Sequence, residues 1–115
     1  MQKIIVENMV TEKELNELKE RFLNKYIGDL PDNDIEGEIF AELDLMDSDL
    51  YGQLTNKNKY PPFDLKYSKG CIARIKEYIA QRGEKNFRKN KILFEWYNLC
   101  LEAIKLMEEY NNKLK

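Results

Sequence analysis

The last quarter of the chain decides what kind of fold is open to it. Between residues 86 and 113, Leu93, Tyr97, Cys100, Ile104 and Met107 recur at intervals of three and four, and Phe94, Trp96, Leu101 and Ala103 widen the stripe. That interval is the period of an α-helix. Glu95, Asn98, Glu102, Lys105 and Glu109 leave a single polar stripe on the opposite side. A helix apolar over so much of its circumference has to be packed by several neighbours. The rest of the chain must therefore supply helices.

It offers three more. Residues 11–27 start at Thr11, with Glu14 three positions on, which is the capping-box pattern, and Val10 is placed to staple onto Leu15. Leu15, Leu18, Phe22 and Tyr26 form one apolar face, and Gly28 and Pro31 end the helix. Residues 34–46 follow, capped by Asp32, Asn33 or Asp34, with Ile35, Ile39, Phe40, Leu43 and Met46 on the inner side. Asp47, Ser48 and Asp49 read as a break and a new cap, after which Leu50, Tyr51 and Leu54 make a single turn. Residues 55–67 hold Asn56, Asn58, Pro61 and Pro62 and read as loop, pinned to the body by Tyr60, Phe63 and Tyr67. Ser68 caps a helix over 68–82 whose apolar face is Cys71, Ile72, Ile75, Tyr78 and Ile79, and Gly83 ends it. Strand periodicity is confined to Lys3–Glu7, and there are no internal repeats. The expectation is a single all-α domain over residues 1–115, a bundle of four or five helices with a long C-terminal one.

Composition limits the chemistry. The 115 residues contain no histidine and two cysteines, which removes Ser-His and Cys-His pairs, an imidazole base and the usual zinc ligand sets. Cys71 and Cys100 each fall on an apolar helix face and read as small buried hydrophobes. Neither a disulfide framework nor a membrane-spanning run is present, and Ile4-Ile5-Val6 is too short for a signal peptide. The reading is a cytoplasmic protein that is not an enzyme and needs no cofactor or metal. Asp32, Asp34, Glu36 and Gly37 mimic the start of a calcium loop, but its twelfth position is Leu43 where a bidentate Glu is required, so they read as an acidic helix start.

The net charge of −2 conceals a strong polarity: residues 1–56 carry 14 acids and 5 bases, residues 57–115 carry 7 acids and 14 bases. Between Tyr26 and Asn56 there are nine acids and no base. A field of that sign steers a cationic partner and repels nucleic acid and anionic membrane. The short basic run Lys85, Arg88, Lys89 and Lys91 reads as a dipole-screened helix turn or as a salt-bridge partner for these acids rather than as a nucleic-acid patch.

Two stretches carry a family resemblance. The first is Thr11-Glu12-Lys13-Glu14-Leu15. The second runs from Gly70 through Cys71-Ile72, Ile75-Lys76-Glu77-Tyr78, Ala80 and Gly83 to Phe87-Arg88. Together they resemble the immunity proteins of nuclease colicins and pyocins. The resemblance implies a small helical protein whose second helix and short third helix form an acidic toxin-binding face, with Asp49 and Tyr51 at positions matching that family's motif. The chain departs from the pattern in lacking tandem tyrosines and in continuing for 27 residues beyond Arg88.

The expected function is thus neutralisation of a basic toxin domain, a nuclease, through Glu36, Glu38, Glu42, Asp44, Asp47 and Asp49, with Tyr51 and Tyr60 as aromatic anchors. One alternative is a helical adaptor that forms a homodimer or grips a partner helix through the heptad-like pattern of residues 93–107. Another is a DNA-mimic inhibitor with acids spaced like phosphates on one face.

Overall fold

A computed structural model describes residues 12–25, 34–56 and 62–113. Among these residues the regular structure is five helices and no strand: α1 (Glu12–Asn24), α2 (Asp34–Thr55), α3 (Lys66–Arg82), α4 (Glu84–Lys89) and α5 (Lys91–Lys113). The all-α bundle read from the sequence is what forms. The Thr11 cap, the Val10 staple, Tyr26, Gly28, Pro31, the caps at Asp32 and Asn33, Tyr60 and the strand-like Lys3–Glu7 lie outside the described residues.

Each helix follows from its apolar period. In α1, Leu15, Leu18 and Phe22 are buried on one face, while Glu12 and Glu14 open the helix and Arg21 closes it, in the sense that complements the helix dipole. In α2, Ile39, Leu43, Met46, Leu50 and Leu54 line the core without interruption. The break expected at Asp47–Asp49 does not occur, and α2 runs for 22 residues. The carboxylates that favour caps in isolation find tertiary partners here: Trp96 and Lys25 for Asp47, Ser68 for Asp49. Those bonds remove the competition with the helix backbone that makes Asp a breaker.

The start of α3 is also corrected. Ser68 is not its cap but lies fully buried inside the helix, its hydroxyl donating to Asp49 Oδ2 at 2.8 Å. The helix begins two residues earlier, where Asp64 Oδ1 accepts the Lys66 amide at 3.1 Å. Phe63 is pinned as expected: its ring packs against Tyr110, and its amide and carbonyl both bond the side chain of Asn111, at 2.7 and 2.9 Å. Tyr67, expected to do the same, is 49% exposed.

The segment expected as one helix from residue 86 is two helices. Gly83, at φ 92°, turns the chain out of α3, bonds back to the Ile79 carbonyl and accepts from the Phe87 amide. A left-handed φ of that kind strains any residue with a Cβ. Asn90 then separates α4 from α5: its Oδ1 accepts the Leu93 amide at 3.2 Å, an N-cap bond that starts α5 afresh. Helix α5 is the spine. Leu93, Trp96, Tyr97, Cys100, Ile104, Met107 and Tyr110 are all buried against its neighbours. Helix α2 packs chiefly on α3, and then on α5 and α1.

Candidate functional site

The acids of α2 are divided by the side of the helix on which they fall. Glu42, Asp49 and Gln53 stand seven and four residues apart, on one edge. That edge faces α3. Glu42 Oε2 accepts from Arg74 Nε at 2.9 Å, while its buried Oε1 has no hydrogen-bond partner. Asp49 accepts from Ser68 and from Gln53, and Gln53 in turn brackets the Asp64 backbone, donating to its carbonyl and accepting its amide at 2.7 Å each. Glu36 is buried and meets Arg82 at 3.5 Å. On the other edge, Asp47 Oδ2 takes the indole of Trp96 and the ammonium of Lys25.

Four of the six acids expected on an open face are therefore engaged inside the bundle. An acid-rich stretch wound through six turns of helix cannot put every carboxylate on one side. Glu38 and Asp44 do remain exposed, on a solvent face they share with Ala41, Ser48 and Gly52. In the middle of that face Leu45 is 49% exposed. Sequence reasoning passed over Leu45. Its phase relative to Ile39, Leu43, Met46 and Leu50 holds the signal, but only once α2 is known to be continuous. Tyr51 is half-buried and points toward α1, where with Asn16, Glu17, Glu20 and Leu23 it lines an open groove of about 640 Å³.

The cations that neutralise the α2 acids are Lys25, Arg74 and Arg82 rather than the basic run. Arg88 pairs within its own helix, with Glu84 at 2.9 Å, and lies over the Phe94 ring. Lys85, Lys89 and Lys91 are exposed and make no ion pair with a described residue.

The heptad-like stripe of α5 is covered within the monomer, since Leu93, Tyr97, Cys100, Ile104 and Met107 are all buried. The adaptor reading, which needed that stripe as an outer face, loses its basis. The DNA-mimic reading loses the acids it needed in the same way.

The thiols are set for packing. Burial first, then the nearby Glu42 carboxylate, pushes the Cys71 thiol above its ordinary value, and burial followed by Asp47 pushes Cys100 further. A reactive cysteine needs the opposite shift. Among the described residues no three Cys, Asp or Glu side chains gather as a metal-binding group, and no helix is long and apolar enough to cross a membrane. Comparison with protein-family models, curated proteins and solved structures gives no match to this chain.

Proposed function

We propose that this protein is a cytoplasmic, non-enzymatic immunity protein that captures a basic toxin domain, a nuclease, on the solvent face of α2. The observation that carries the reading is the composition of that face. It presents Glu38 and Asp44 around a half-exposed Leu45, on a helix with no basic residue in its 22 positions. An apolar centre with a polar rim is the anatomy of a protein interface. Nucleases expose cations because they hold phosphate backbones, so acids on the rim steer the encounter while the apolar centre holds the complex. The resemblance through Thr11–Leu15 and Gly70–Arg88 supplies the toxin class. The buried acids take a different role here from the one expected of them: Glu36, Glu42, Asp47 and Asp49 hold α2 at the angle that presents its outer face.

The test is co-expression of this protein with the toxic domain of a secreted chain encoded beside it. Cells should survive with the protein and die without it, and equal death in both cases overturns the reading. In binding measurements, Glu38→Lys with Asp44→Lys should slow association and flatten its salt dependence. Leu45→Ala should raise the dissociation rate at least about tenfold. Glu42→Gln should lower stability and leave association unchanged.

A further inference from the structure

We draw no further inference here: the strongest candidate, the groove between α1 and α2 that Leu23 and Tyr51 line together with Glu17, Glu20, Lys13 and Lys19, carries acids and lysines in equal number, and nothing in the structure shows what covers it.

Discussion

The indole Nε1 of Trp96 donates to Asp47 Oδ2 at 2.8 Å, joining residues 49 positions apart in the chain. The Lys25 ammonium reaches the same oxygen at 2.9 Å and sits 5.5 Å from the centre of the Trp96 ring. One carboxylate thus ties the end of α1, the middle of α2 and the first half of α5 together. Replacing Asp47 with alanine strands the indole N–H in a mostly covered position and leaves the Lys25 ammonium only the Phe22 carbonyl, at 3.0 Å. An unsatisfied donor of that kind costs roughly 1–3 kcal/mol, and Asp47→Ala should lose about 2 kcal/mol by urea unfolding. Asp47→Asn keeps an acceptor for the indole and should lose less. A loss under about 0.5 kcal/mol for alanine would mean that this contact does not hold the helices together.

That contact also marks where sequence reading stops. Leu15, Leu18 and Phe22, or Leu93 through Met107, reveal their helix because periodicity needs only neighbours in sequence. Asp47, Ser48 and Asp49 give a local signal for a break, and the opposing influences come from Trp96, Lys25 and Ser68, remote in sequence and invisible to any window around residue 48. The same limit applies to the site: with a break read at residues 47–49, Asp47 and Asp49 have no fixed helical phase, and a count of acids along the sequence does not say which way they face. Asn90 shows the converse: its capping signal was present in the sequence, and the strong apolar period of α5 masked it.

The two cysteines set an alkaline limit on stability. Folding raises the pKa of both thiols, whereas in the unfolded chain they titrate near about 8.5. Below that pH both states hold the protons, and the cysteines contribute no pH slope. Above it the unfolded state loses protons that the native state keeps, so stability falls as pH rises, by up to about 1.4 kcal/mol per unit for each thiol. Burial raises the Tyr97 phenol too, which extends the decline to higher pH. Urea midpoints measured between about pH 7.5 and 9.5 should drop, and Cys100→Ala should make the drop shallower. Rapid thiol labelling of the native protein would contradict the burial on which this rests.

At the acid end the relevant pair is Arg21 and Glu102, 2.8 Å apart and each about half exposed. The hydrogen bond from Arg21 lowers the Glu102 pKa against a smaller opposing effect of burial. A carboxylate depressed on folding adds stability above its unfolded value, near about 4.3, and that stability is lost as pH falls through the folded value. Solvent screening keeps the effect on global stability small, so the informative measurement is local. Carbon-detected NMR titration of the Glu102 carboxyl should give a midpoint below that of a free glutamate. Arg21→Ala should return it upward, and an unchanged midpoint in that variant would dissolve the pair as a solution feature.

Gly37 and Gly52 allow the stability of α2 to be tested apart from the binding role proposed for its solvent face. Gly37 and Gly52 sit inside the helix, and a Cβ built on either meets nothing within 4 Å. Glycine in a helix interior is worse than alanine by roughly 0.5–1 kcal/mol. Among the described residues no packing repays that loss. Gly37→Ala and Gly52→Ala should therefore each raise stability by about that amount in urea unfolding. Gly52 lies on the same solvent face as Asp44, Leu45 and Ser48. If a partner's backbone approaches that face closely, the added methyl of Gly52→Ala should weaken toxin binding even as it stabilises the free protein. Gain in stability with full retention of binding would place the partner's closest approach elsewhere on α2, and loss of stability in either variant would contradict the open space beside these glycines.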